Sequence, residues 1–442
     1  MKTHLRYWLC LIVLLALSVS SAHSADITVD GSTCTLADAI TAAINNRDEG
    51  GCVGSGTYVY GHNNVVLETD VSLDAALPEI TATITIKGNG HTINGNNNPN
   101  VGSVLNIIST GDLTLNDTIV THGYTMLGGG IYNDGSIALT NSMVSDNIAT
   151  SHGGGIYGYG NITLTNSTIS GNIATFSSGG IDSIFGSVTL ISSTVSDNTA
   201  AEAGGISKQE GSVTLLNSTV SNNTAEAIGG IKNVDGNIIL TNSTVSGNTA
   251  TVHVGGIYNF QSSSDATVTL INSTVTNNTA EQNVGGIYNY DGTVTLTSSL
   301  ISGNTAGGEV NEVCNENDGT INADSHNVFG HDNETDAEAF YSFTPKDNDI
   351  NATSDGTNTS LASILDTTLA NNGGPTQTHA LVAGSPAIDL DPSCNGGLIT
   401  DDQRGEARPS GAGCDAGSFE FDSTLPDDNN SGFLPAMYLL LL

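Results

Sequence analysis

The stretch that decides the fold is Gly154 to Ser178, GGIYGYGNITLTNSTISGNIATFSS. Its opening triplet, Gly-Gly-Ile, recurs at Gly129, Gly154, Gly179, Gly204, Gly229, Gly255 and Gly285, at spacings of 25, 25, 25, 25, 26 and 30 residues. A fixed period of this size marks a stacked architecture, in which each unit buries its apolar side against the next. Three short runs within the unit suit strands: the one carrying Ile156, then Ile162 to Leu164, then Thr168 to Ser170. Their apolar residues alternate with Thr and Ser, the period of a strand with one buried face. Three short strands per turn predict an all-β chain wound as a parallel β-helix, each strand pairing with its equivalent about 4.8 Å away on the next coil.

Two further columns support the stack. Asn147, Asn172, Asn198, Asn223, Asn248, Asn278 and Asn304 recur in step with the triplet, each followed two residues later by Ala. Stacked amides can donate to one neighbour and accept from the other, which satisfies polar groups at a tight inward corner. The paired glycines are expected at another corner, where φ turns positive or a Cβ would crowd the next coil. Both columns read as structural.

Of the 442 residues only 12% are charged and 53 are Gly, a composition suited to stacked short strands. Residues 1–24 read as a secretory signal, with Lys2 and Arg6 before the apolar run Leu9 to Leu17 and a small-residue site at Ala22-His23-Ser24. The formal charge is −36, which makes nucleic acid and anionic lipid poor partners and leaves the C-terminal tail as the route to any association with the outer surface. It would attract Ca²⁺ or a basic partner, but no motif calls for Ca²⁺, so no cofactor is assigned. In an exported chain Cys34 with Cys52, and Cys394 with Cys414, suit disulfides near the two ends. Cys314 is then a buried thiol, or a sign that the pairing differs. Cys34 to Ile44 reads as a helix, with Leu36, Ile40 and Ile44 on one face, covering the open end of the first coil.

That helix begins CTLADAI, which resembles the motif of the CSLREA family of exported proteins, with Ala37 where the motif has Arg. "ITIKGNGHTINGNN", from Ile84, looks like the early coils of pectin-lyase-like β-helices. Downstream, Asn372 to Leu381, Gly384 to Asp389, Asp402-Gln403-Arg404-Gly405, Arg408-Pro409 and Cys414 to Glu420 together resemble the choice-of-anchor Q region of bacterial surface β-helix proteins. The Gly-Gly-Ile and Asn-Thr-Ala repeats look like those of polymorphic-outer-membrane-type proteins. These resemblances imply a right-handed, pectin-lyase-like helix and an adhesive surface protein. The expected order is signal peptide 1–24, N-terminal cap 25–77, irregular first coils 78–126, regular repeats 127–330, solenoid end with the anchor-like region 331–421, and linker with apolar tail 422–442.

The strongest candidate site is aromatic. If Ile257 and Ile287 face inward, alternation sends Tyr258, Phe260, Tyr288 and Tyr290 outward on consecutive coils, and Tyr157 and Tyr159 repeat the pattern elsewhere in the array. Aromatic faces beside Asn and Asp suit sugar rings, so a polysaccharide or a protein on a host or neighbouring cell is the expected partner; an aromatic ladder that only stabilises the stack is the competing account. Enzymes on such folds act on polysaccharides, and a lyase or hydrolase is the alternative function, but no convergent charged constellation stands out, and no catalytic residue is assigned. A purely structural surface component is the remaining one. Lys208 and Lys232, near Glu210 and Asp235, read as a solvated ion-pair cluster. Gly330-His331-Asp332 is a weak glycosidase-like element. His62, His91, His122, His152 and His253 have no metal-ligand spacing and read as surface histidines, so no metal site is assigned.

Overall fold

The computed structural model describes residues 24–422 except 309, 324 and 325. The secretory segment and the apolar tail expected from the sequence lie outside the described residues, apart from Ser24 and Asp422. The chain is a parallel β-solenoid of about 11 turns, whose strands form sheets of 13, 8, 10 and 12 strands among the described residues. Each coil therefore contributes four strands, one more than expected. In the coil from Gly154 they are Ile156–Gly158, Asn161–Thr165, Thr168–Ser170 and Ile173–Ala174. The fourth spans two residues and falls in the Asn-x-Ala column, too short for its alternation to be seen in the sequence.

The inward columns are almost uniform. Ile162, Val188, Val213, Ile238, Val268 and Val294 stack in register, as do Leu164, Leu190, Leu215, Leu240, Leu270 and Leu296 beside them, all fully buried. The Asn column forms the expected ladder, each Nδ2 donating to the next Oδ1 at 2.9–3.0 Å from Asn147 through Asn304. A Ser column that the sequence reading passed over, Ser142, Ser167, Ser193, Ser218, Ser243, Ser273 and Ser299, makes a second buried ladder, each Oγ accepting from the backbone N–H one coil before. A third, Asn233 to Asn259 to Asn289 to Asn315, runs behind the 10-stranded sheet at 2.7–2.8 Å per step.

The paired glycines are explained by close approach alone. A Cβ on Gly154 would lie 2.6 Å from the Gly179 carbonyl oxygen, and one on Gly155 would lie 2.7 Å from that of Gly180. Left-handed backbone sits instead at the next two corners, at Asn166 (φ 48) and Gly171 (φ 65) and their equivalents.

The first coil is closed by helix α1, Leu36–Asn45, capped by Thr35, whose Oγ1 accepts from the Asp38 N–H at 3.1 Å. Leu36, Ala39, Ile40 and Ala43 join the same core as Ile27 and Val65. The Cys34–Cys52 disulfide ties the helix to the following loop; Cys394–Cys414 forms near the other end of the chain, and Cys314 is buried outside both bridges. At the far end Phe329, Phe340 and Phe343 pack edge to face, with centroids 5.1–6.1 Å apart.

The segment from Leu361 does not extend the rod. It returns along the outside of the 12-stranded sheet over several coils. Thr219 Oγ1 donates to the Gln377 carbonyl (2.8 Å), Ser246 Oγ meets His379 Nε2 (2.7 Å), and the Ser418 N–H donates to Thr274 Oγ1 (2.9 Å). The anchor-like motifs thus supply side chains that hold this segment down. Gln403 bridges Thr219, Thr244 and Thr376. Arg408 is buried with Glu420 at 2.9 Å, and Arg404 lies over the Phe419 ring.

Candidate functional site

The 10-stranded sheet carries the open face. Its inward column, Ile131, Ile156, Ile181, Ile206, Ile231, Ile257 and Ile287, is invariant within the chain. The outward column one residue on reads Tyr132, Tyr157, Asp182, Ser207, Lys232, Tyr258 and Tyr288, a pair of tyrosines at each end and three different polar residues between. A cleft of about 790 Å³ runs along this column, with Tyr157 at one end and Tyr258, Phe260, Tyr288 and Tyr290 at the other. Six coils separate its ends inclusively, roughly 24 Å at the strand spacing. The two aromatic groups, separate in the sequence, share one groove.

At the crowded end Tyr258 and Tyr288 lie 5.5 Å apart, and Phe260 and Tyr290 lie 5.4 Å apart. Burial pushes the Tyr258 phenol up to about 12, so it stays protonated as a hydrogen-bond donor. Tyr288 donates to Glu316 at 2.7 Å; burial first, then this bond, raises it further. At the other end Tyr157 packs against His152 (5.9 Å) and Tyr132 (5.7 Å). Tyr159 stands beside Tyr157, their ring centroids 5.8 Å apart. It lies outside the cleft lining, its hydroxyl 3.0 Å from that of Tyr157 and its ring beside Phe185.

The middle of the cleft is polar. Asp182 forms part of its floor, with its side chain against Ser177 and only 5% of the residue exposed. Among the described residues its Oδ2 has no hydrogen-bond partner. Burial raises this carboxyl, against the lowering effects of Ser177, His152 and Lys232. Glu202 is paired with Lys232. The wall above is built by the turns leading into each Gly-Gly-Ile triplet and includes His152, Ser177, Glu202, Ile228, His253 and Asn283.

The expected Lys208–Lys232 cluster is overturned by strand register. Ser207 pairs with Lys232, and Lys208 with Asn233, so the two lysines occupy opposite faces of the sheet. Lys208 points inward, fully buried in the column of the third Asn ladder, and its Nζ donates to Ser183 Oγ (2.9 Å) and the Gly186 carbonyl. Burial lowers its ammonium to about 8. Asp235 instead organises the loop that follows Phe260, accepting from the N–H groups of Ser262, Ser263 and Ser264 at 2.6–3.2 Å.

His331 lies with Glu312 and Glu334 in a group whose candidate ligand atoms are within 4.8 Å of one another. Protein donors already occupy this group. Glu312 ends the main Asn ladder, accepting from Asn304 Nδ2 (2.6 Å) and the Gly303 N–H (2.7 Å), while Glu334 accepts from Asn311 Nδ2 (2.8 Å) and the His331 N–H (3.1 Å). Burial raises both carboxyl groups, and a hydrogen bond joins them, so the pair holds a proton. It is a terminus for the ladder.

The sequence reading missed Asp182, Glu202 and the wall histidines. Two signals could have found them. Asp182 sits three residues after Gly179, as Tyr157 does after Gly154 and Tyr258 after Gly255. The period is also broken beside the cleft: the 30-residue spacing adds four residues between Phe260 and Thr267, and the turns carrying His253 and Asn283 are one residue longer than that of Glu202. The chain matches no protein-family model, curated protein or solved structure with which it was compared.

Proposed function

We propose that this chain is an exported interaction scaffold, secreted or held at the cell surface, that binds a polysaccharide along its long cleft. The observation that carries the reading is the joining of Tyr157 to Tyr258, Phe260, Tyr288 and Tyr290 in one groove whose middle is polar. Aromatic faces take the apolar faces of sugar rings, and polar groups between them fix orientation. The two disulfides and the strongly acidic composition support export. Membership of the CSLREA and choice-of-anchor Q proteins, with an adhesive role toward a host or neighbouring cell, belongs to the same proposal.

The test is retention of the mature chain on a panel of polysaccharides, with new chain ends recorded. Retention that falls at least tenfold in Tyr258→Ala, with an unchanged β-sheet circular dichroism spectrum, supports the cleft; unchanged retention removes it. A hydrolase is the second reading. It is favoured by Asp182, raised by burial, sharing the cleft with Glu202, whose charge Lys232 compensates. New reducing ends that disappear in Asp182→Asn would establish it in place of simple binding.

A further inference from the structure

Beyond the Tyr157 end of the cleft, the outward column of the 10-stranded sheet continues through Tyr132 to its register partner Asn106. Both residues line a second hollow, of about 340 Å³. Tyr132 lines this hollow and Tyr157 lines the cleft, with ring centroids 5.7 Å apart, so aromatic surface joins the two. The wall continues as well: Leu127 of the hollow pairs in register with His152 of the cleft. The chemistry changes along this track. The cleft carries Glu202, Lys232 and two histidines, whereas the hollow is lined by Leu77, Val101, Met126 and Leu127 and, among the described residues, by no charged side chain. Met126 is 61% exposed, an apolar side chain left to water beside the hollow. Asn106 Nδ2 reaches Glu79 Oε1 only at 3.5 Å, too long for a strong hydrogen bond, and can still donate to a ligand.

We propose that this hollow is a further subsite on the same glycan track, and that it receives an N-acetylated sugar. The inference rests on the glycan reading and narrows it. The acetyl methyl group would lie against Leu77, Val101 and Met126, while the acetamido carbonyl accepts from Asn106 Nδ2. Few polar groups set among apolar ones are what fixes such a ligand. A plain hexose would set hydroxyl groups against the same apolar surface, and a uronic acid would bring a charge that no lining residue compensates.

The experiment titrates two oligosaccharides, one of N-acetylglucosamine and one of glucose, against the full mature chain. Both are long enough to cover the coils from Asn106 to Tyr288, about 34 Å at the strand spacing. N-acetylglucosamine should bind more tightly by about tenfold, the worth of one buried methyl group with one hydrogen bond. Met126→Asp and Met126→Arg, at an exposed position where either charge is out of place, should each bring the two within about twofold without weakening the glucose chain. Tyr258→Ala should weaken both and leave their ratio unchanged. Equal binding by the wild-type chain, or a preference that survives both Met126 variants, overturns the subsite and leaves the glycan cleft standing. Neither chain bound, while another polysaccharide is retained through Tyr258, does the same. No polysaccharide retained at all overturns both readings.

Discussion

Two faces of the same solenoid, built from the same repeat, have opposite fates. On the 12-stranded sheet the outward column reads Ile119 and Met143, then Thr168, Thr194, Thr219, Thr244 and Thr274 on five successive coils, then Leu300. From Thr219 onward these residues are buried, because the segment after Leu361 lies on them and matches their hydroxyls one by one. On the 10-stranded sheet the outward column changes from Tyr to Asp to Ser to Lys and back to Tyr, and it lines the cleft. A uniform column suits a cover made by the chain itself, since each coil offers the same hydroxyl. A varied column between invariant neighbours, here the Ile column beneath it, is spared by stacking requirements and free to serve a ligand.

The largest effect expected from breaking this contrast is at the cover. Arg408 and Glu420 are both buried, and Arg408 also donates to the Asp415 and Gly417 carbonyls at 2.7 and 2.6 Å. Arg408→Ala leaves Glu420 charged and unpaired, a change that costs about 3–5 kcal/mol in such settings. We expect residues 361–421 to lose amide-exchange protection and become sensitive to protease, while the solenoid's spectrum and the cleft's ligand binding persist. Loss of cleft binding in the same variant would show that the two faces are not independent.

The contrast also explains what the sequence disclosed. The fold was legible because stacking writes every inward requirement in each coil, so the Ile, Asn and Gly columns repeat it seven times. The fourth strand was not, since the two residues Ile173 and Ala174 leave no alternation to read. The aromatic half of the cleft was legible from alternation after Ile257 and Ile287. Asp182 was accessible by the same count but carries no chemistry that singles it out until its burial and its missing partner are seen. Lys208 and Lys232 show how little separates a right placement from a wrong one: they stand four and three residues after Gly204 and Gly229, and that single residue sends one into the core and the other into the cleft. The returning segment could not be read at all, because its contacts join residues such as Asn217 and Thr376, far apart in the chain with no period linking them.

A smaller effect should reach both faces at once. Asn223 lies within the main ladder, receiving from Asn198 and donating to Asn248 and to the Val195 carbonyl at 2.9–3.0 Å. Asn223→Ala strands buried donors and acceptors on both neighbouring coils, and about 1–3 kcal/mol per unsatisfied group is expected. Because the ladder belongs to the shared core, chemical denaturation should show a lower midpoint by probes on the cover and on the cleft alike. A change confined to one probe would mean that the coils unfold in sections, as weakly coupled repeats do.

The smallest effect tests the end of that ladder. Glu312 and Glu334 share a proton, and burial holds both above the ordinary carboxylate value of about 4.3. The sign follows from the direction. A carboxyl raised in the folded state binds its proton more tightly there than in the unfolded chain. Its contribution is therefore fully present below the unfolded value and is lost as pH rises through the higher folded one. The melting temperature should fall as pH rises through that window. Glu334→Gln keeps a donor for Glu312 without a second charge, so it should flatten this dependence while leaving cleft binding unchanged, the cleft lying on another face of the rod. A pH dependence identical to that of the wild-type chain would mean that the proton is not held by this pair.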